Sequence, residues 1–323
     1  MSYTVKKTFE KENVEMRAAY CATLIEMAKS DERICVLDSD LVGSSGMKPF
    51  FKEFPERAID CGIQENNMIG VAAGLSAAGM VPFAHSFAPF AVRRCLDQIF
   101  ISCAYAKLNV RILGTDPGIT AAYNRGTHMP FEDMAALMAV PEITLVEPTD
   151  SVQLRWLLRE LKDAWGVYYI RMARKLQTGV FEEGSRFELG KAAVLRDGTD
   201  VCIVASGIMV KEALAAAESL AGQGISAAVL NTFTWKPIDD AALAAYSAKC
   251  GCFVTAENHN VVGGLGSAVA SSLAKSLPAP VETVGVQDRF GQVGTEAWLR
   301  TEYELTDRAI ERAAKRAIER KRG

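Results

Sequence analysis

Short continuous apolar runs alternate with helix-length segments along most of this chain. The runs at 34–37, 58–61, 81–84, 110–113, 143–146 and 167–170 are bounded by turn residues and read as strands buried on both faces. Between them, 13–29 places Val14, Met16, Ala19, Leu24, Ile25 and Met27 among polar positions as an amphipathic helix would. Segments 65–79, 89–106, 131–139 and 150–163 also read as helices. A polar, irregular stretch from Lys175 to Lys191 follows, and beyond it the alternation resumes. Strands are expected at 201–205, 226–230, 252–255 and 281–286, with helices at 209–222, 238–247, 264–275 and 306–320. Alternation of this kind builds mainly parallel sheets covered by helices. The expected fold class is therefore α/β, with two successive domains at residues 10–180 and 190–323.

Composition narrows the function more than the fold. The 323 residues are 49% hydrophobic and 23% charged, ordinary for a globular protein with a sizeable core. A formal charge of -3 offers no basic field for nucleic acid, and the Lys/Arg-rich end alternates with Glu and Ala as a solvated helix face does. No window reaches the roughly 18 apolar residues of a membrane span, and the start shows no leader, so the chain reads as cytoplasmic. The eight cysteines include no Cys-x-x-Cys and read as reduced core thiols. With only His85, His128 and His259, a metal site has few ligands to draw on. Nucleophile elbows, Walker phosphate loops and zinc-protease motifs are absent from the sequence.

The stretch from Arg57 to Gly79 is the densest in information. A short strand breaks at Gly62, and a proline-free helix starts with Glu65 in its first turn. Gly70, Ala72, Ala73, Gly74, Ala77 and Ala78 leave that helix little bulk. Glycine costs up to ~1 kcal/mol against alanine in a helix, so close packing against another backbone is the expected compensation. An acid at a helix start is, by itself, an ordinary dipole or capping residue. Further on, Glu257-Asn-His259-Asn260 before Gly263-Gly-Leu-Gly266 reads as a βα loop with a tight helix start.

Read together, these segments resemble the pyrimidine-binding and carboxyl-terminal domains of transketolase-type thiamine diphosphate enzymes, over residues 10 to 320. The anchors are Asp40-Leu-Val-Gly-Ser44, Cys61-Gly-Ile-Gln-Glu65-Asn-Asn-Met68, Ser86-Phe-Ala-Pro-Phe90 with Asp97-Gln-Ile99, and Gly126-Thr-His128-Met-Pro130. Glu147-Pro-Thr-Asp150, Thr232-Phe-Thr-Trp-Lys-Pro-Ile-Asp239, the Glu257 segment and Asp288-Arg-Phe-Gly291 complete the series. Their order and spacing are specific where no single one is.

The resemblance implies roles. A glutamate matching Glu65 hydrogen-bonds a pyrimidine nitrogen of the cofactor and promotes the imino tautomer that removes the thiazolium proton. Phe87 and Phe90 match the aromatic wall on the pyrimidine, and Asp40 a cofactor-binding position. His128 matches a histidine that bonds the substrate carbonyl or developing alkoxide. Arg174 falls where an arginine holds the terminal phosphate of a sugar. The Gly-Asp-Gly motif that binds diphosphate and Mg2+ does not occur in this chain. The resemblance therefore implies the second subunit of a split transketolase, with the diphosphate/Mg2+ ligands on an amino-terminal partner subunit and an α2β2 assembly. The implied reaction transfers a two-carbon ketol group from a ketose phosphate to an aldose.

Two positions depart from the family pattern. Ordinary transketolases read Gly-Glu-Asp-Gly-x-Thr-His where this chain reads Ala122-Tyr-Asn124-Arg-Gly-Thr-His128, and carry a second histidine where this chain has Asp116. Both positions read donor hydroxyls, so a less common ketose, branched or modified, is expected. The alternatives are the beta subunit of a 2-oxoacid dehydrogenase decarboxylating component, a deoxyxylulose phosphate type synthase, or a cofactor-free structural subunit. Arg174 and Asp288-Arg-Phe-Gly291 favour the transketolase side.

Overall fold

The computed structural model describes residues 1–322, so Gly323 at the end of the expected second domain lies outside the described residues. Among the described residues there are twelve strands: β1 (Ile34–Asp38), β2 (Ala58–Asp60), β3 (Val81–Phe87), β4 (Val110–Thr115), β5 (Ile143–Val146), β6 (Val167–Met172), β7 (Ala193–Arg196), β8 (Val201–Ala205), β9 (Ala227–Asn231), β10 (Thr234–Lys236), β11 (Phe253–Asn260) and β12 (Val281–Val286). They form a seven-stranded sheet in the order β10-β5-β6-β4-β3-β1-β2 and a five-stranded sheet in the order β12-β11-β8-β9-β7. All pairings are parallel except β10 against β5 and β7 against β9. The fold class is the α/β layering expected.

Continuous apolar strands bury both faces, and the period of two decides which residue goes where. Ile34 and Val36 join one apolar cluster while Cys35 and Leu37 join the other. Val201, Ile203 and Ala205 separate from Cys202 and Val204 in the same way.

Several elements differ from the expectation. The helix expected over 89–106 is broken into Ala88–Arg93, Leu96–Gln98 and a π-helical turn at Ile99–Tyr105. Glu257–Asn260, expected as a loop, continues β11, and Glu257, Asn258 and His259 are buried. β10 lies in the second half of the chain yet closes the edge of the first sheet, with Lys236 Nζ 2.8 Å from the Met138 carbonyl. The pairing of residues 1–11 is likewise unexpected: Ser2, Val5 and Lys11 form isolated antiparallel bridges to Arg186, Phe181 and Thr178.

Candidate active site

In a parallel sheet, loops that carry chemistry gather beyond the carboxyl ends of the strands. Here Asp40 follows β1, Glu65 follows β2, Phe87 ends β3, Asp116 follows β4 and Arg174 follows β6.

Glu65 opens the helix Glu65–Ala77 and is 3% exposed. Both of its carboxylate oxygens accept from Arg94 Nη1 at 2.9 Å. Arg94 follows the helix Ala88–Arg93, whose first turn holds Pro89 in a position suited to proline. Its guanidinium carbon lies 4.1 Å from the centroid of the Phe90 ring. Phe90 meets His128 edge-on at 4.9 Å, and Phe87 meets His128 at 6.1 Å and Phe90 at 6.3 Å. Arg174 lies 5.3 Å from the Phe87 centroid and puts Nη2 2.8 Å from Asp116 Oδ2. One unbroken series of contacts thus runs from Glu65 through Arg94, Phe90, His128, Phe87 and Arg174 to Asp116.

Asp116 is buried with a left-handed φ of 55°. Burial pushes its carboxyl above the ordinary range, and the Arg174 guanidinium pulls the other way. His128 is half-buried, with Nδ1 2.9 Å from Thr127 Oγ1. Asn124 sits in the same loop, between Ala122 (φ 46°) and Arg125 (φ 71°), outside the series of contacts. Asp40 also stands apart: it is exposed, its φ is 60°, and its N–H donates to Asp60 Oδ1 at 2.9 Å.

Arg94 and Arg17 escape the sequence reading. Arg17 Nη1 donates to the Ser44 carbonyl at 3.0 Å, and Arg174 Nη1 approaches the same oxygen at 3.4 Å. Two arginines converging on one backbone carbonyl from 27 residues before it and 130 after it leave no linear signal. For Arg94 the signal is an arginine pair following an aromatic one, in a segment otherwise apolar enough to read as buried helix.

Beneath the site a buried polar network joins the two sheets. Arg171 is fully buried and donates to Asp133 at 2.9 and 3.1 Å, to Glu147 at 2.5 Å and to the Asn258 carbonyl at 2.9 Å. Tyr169 adds its hydroxyl to Asp133 at 2.7 Å. Beside it, burial holds the His259 imidazole down at about 4 and pushes the Glu257 carboxyl up to about 8, against the N–H groups of Leu265 and Gly266. A cleft of about 920 Å³, lined among others by Arg93, Thr127, Asp288, Arg289 and Phe290, opens beside the His128 loop.

Among the described residues no group of three or more His, Cys, Asp or Glu is placed to hold a metal ion, and no helix is long and apolar enough to cross a membrane. The eight cysteines are free thiols.

Residues 12–178 match the family model described as the transketolase pyrimidine binding domain, and residues 190–310 match the transketolase C-terminal domain. The chain is 50% identical to the 6-deoxy-6-sulfo-D-fructose transketolase subunit SqwH of Clostridium sp. (strain MSTE9), covering 95% of each chain. It is 40% identical to a putative transketolase C-terminal section of Methanocaldococcus jannaschii, over 94% of this chain and 95% of the relative. Among solved structures, a split gene transketolase in the form of an inactive beta4 tetramer superposes with a TM-score of 0.89 at 41% identity, covering 95% of this chain and 99% of that one. With both of its domains matched in order and relatives of this length covered nearly end to end, the chain belongs to the transketolase family, as its pyrimidine-binding and carboxyl-terminal portion.

Proposed function

We propose that this chain is the carboxyl-terminal subunit of a split, thiamine diphosphate-dependent transketolase. It transfers a two-carbon ketol group from an anionic-tailed ketose to an aldose acceptor. The observation that carries the reading is the contact series from Glu65 to Asp116, which sets a buried carboxylate, an aromatic pair, an imidazole and an ion-paired arginine beyond the carboxyl ends of the first sheet's strands.

The residues fit the pyrimidine half of the cofactor. Glu65 presents a buried carboxylate to a ring nitrogen, Phe87 and Phe90 form a flat apolar wall, and Asp40 lies at the neighbouring strand end. When bound, the cofactor supplies the carbon nucleophile and electron sink of the reaction. Glu65 holds and returns a proton at the ring nitrogen, and the aromatic wall keeps water from that bond and so strengthens it. For the pyrimidine to reach Glu65, Arg94 gives up at least one of its two hydrogen bonds there. His128 donates to the donor's carbonyl oxygen as charge develops on it. Arg174, steered by Asp116, receives the anionic end, while Asp116 and Asn124 read hydroxyls. The diphosphate and Mg2+ ligands are assigned to an amino-terminal partner subunit.

The name of the Clostridium relative supports a sulfonate as the anionic group, in keeping with the altered Asp116 and Asn124. A sulfonate and a phosphate offer the same three-oxygen face to a guanidinium fork. The test is a donor panel, with the chain reconstituted with an amino-terminal subunit, thiamine diphosphate and Mg2+. Ketol transfer from 6-deoxy-6-sulfo-D-fructose ahead of xylulose 5-phosphate is expected. Decarboxylation of a 2-oxoacid with no transfer from any ketose would overturn the reading.

A further inference from the structure

The donor-facing residues Asp116, Asn124 and His128 belong to one loop, and that loop is held from the other domain. Asn258, near the end of β11 in the second sheet, is 1% exposed and uses both ends of its amide across the divide. Its Oδ1 accepts from the Ile119 N–H at 2.9 Å, and its Nδ2 donates to the Pro117 carbonyl at 3.0 Å. Gly118, between the two, has a φ of 54°, and any side chain there would collide with the Asn258 amide. The amide behaves as a substitute peptide group, offering one acceptor and one donor to a donor and an acceptor two residues apart. Aspartate cannot donate and leucine can do neither.

The clamp also closes the loop. The Gly118 N–H donates to the Pro130 carbonyl at 3.0 Å, so 118–130 is a loop pinned at its base, and Asn260 adds its own N–H to the Phe131 carbonyl at 2.8 Å. Gly126 rests against the Gly291 backbone of the second domain. At the root of the loop, Asp116 is buried, left-handed at φ 55°, and 2.8 Å from Arg174. A left-handed, buried aspartate is a strained arrangement that persists only when its surroundings fix it. The Asp116 N–H donates to the Met172 carbonyl at 3.2 Å, and Asn258 adds to that fixing one and three residues downstream, at Pro117 and Ile119.

We propose that Asn258 is a positioning residue for the donor site. Through it the carboxyl-terminal domain sets where Asp116 meets Arg174 and where Asn124 and His128 stand. The identity of the donor rests on the transketolase reading above; the clamp does not.

The experiment pairs kinetics with amide exchange on Asn258→Asp and Asn258→Ala. In the reconstituted enzyme the KM for 6-deoxy-6-sulfo-D-fructose or fructose 6-phosphate rises about tenfold or more, since misplacement of this kind is costly even away from the chemistry. Thiamine diphosphate affinity, measured by calorimetry, stays unchanged, because Glu65, Phe87 and Phe90 stand on elements that Asn258 does not touch. In the wild-type chain by itself the Ile119 amide is protected from hydrogen exchange, and in both variants the loop's amides lose protection. An Ile119 amide that exchanges as freely as an open loop in the wild type overturns the proposal even if neither variant folds. An unchanged donor KM overturns it too, as does a fall in donor and cofactor affinity by the same factor. A wild-type enzyme that accepts no ketose contradicts the transketolase reading, and the exchange pattern then decides the clamp by itself.

Discussion

Glu65 combines three properties that seldom meet in a structural acid: it starts a helix, it is buried, and both of its oxygens meet one guanidinium that itself stacks on a phenylalanine. Glu65→Gln keeps the size and hydrogen-bonding shape but cannot exchange a proton, so the fold should survive by circular dichroism. Hydrogen–deuterium exchange at the thiazolium carbon in the reconstituted enzyme should slow by ~10²–10⁴-fold. Near-normal exchange would remove Glu65 from the chemistry. Arg174→Ala should raise KM about ten- to a hundredfold for donors with a phosphate or sulfonate end, the loss of a charge-assisted pair worth ~1.5–3 kcal/mol. Uncharged ketoses should be affected far less, and equal losses would make Arg174 structural, a partner for Asp116 alone. Glu65, Phe87, Phe90 and His128 stand out as candidates because each sits inside a motif of fixed order, Arg174 by its position after an apolar strand, and Asp116 as a departure from the family pattern. Arg94, Arg17 and Asn258 do not, because their meaning lies in contacts across 29, 27 and 139 residues that no local pattern encodes.

β11 shows why some elements read well and others did not. Its first residues are apolar and legible as strand. Glu257, Asn258, His259 and Asn260 are polar and read as a loop, yet tertiary partners satisfy each buried group and let the strand continue. Short edge strands such as β10 carry too few residues for a period. The break in 89–106 involves neither proline nor glycine, so hydrophobic pattern alone could not place it. His259 gives this element a pH signature. Its Nδ1 donates to the Asn260 carbonyl at 2.7 Å and its Nε2 accepts from the Ala135 N–H at 3.4 Å, an arrangement that requires the neutral ring. Its pKa of about 4 lies below the unfolded value near 6.5, so the unfolded chain binds the extra proton between those limits. The contribution of His259 to stability is complete above about pH 6.5 and is lost as pH falls towards 4, by ~2 kcal/mol at pH 5. Glu257, pushed up to about 8, acts in the opposite sense, its contribution falling as pH rises towards 8. The measurement is therefore the urea-unfolding difference between wild type and His259→Gln, in which Glu257 largely cancels. The stability advantage of wild type should shrink by that amount between pH 7.5 and pH 5, and a pH-independent difference would show that His259 is not held neutral.

Across the whole molecule, β10 and the Arg171 network bind the two sheets into one body, while the helix behind Glu65 buries one face in this chain and leaves its Gly70 and Gly74 face exposed. A Cβ added at Gly70 or Gly74 meets nothing within 4 Å, so the close packing expected at these two glycines is not supplied by this chain. A second subunit is the proposed source. Gly70→Leu should leave the unfolding midpoint of the isolated chain unchanged or slightly raised, since leucine favours a helix over glycine and meets open space there, and sedimentation should show association lost. Association as tight as wild type would place the interface elsewhere. On the proposed reading, this chain is half of an active site. The direct measurement is ketol transfer as this chain is titrated into a fixed amount of the amino-terminal subunit, with thiamine diphosphate, Mg2+, donor and aldose acceptor in excess. No transfer is expected from either chain alone, and the rate should climb to a plateau at equal amounts of the two. Ketol transfer by this chain alone would contradict that reading.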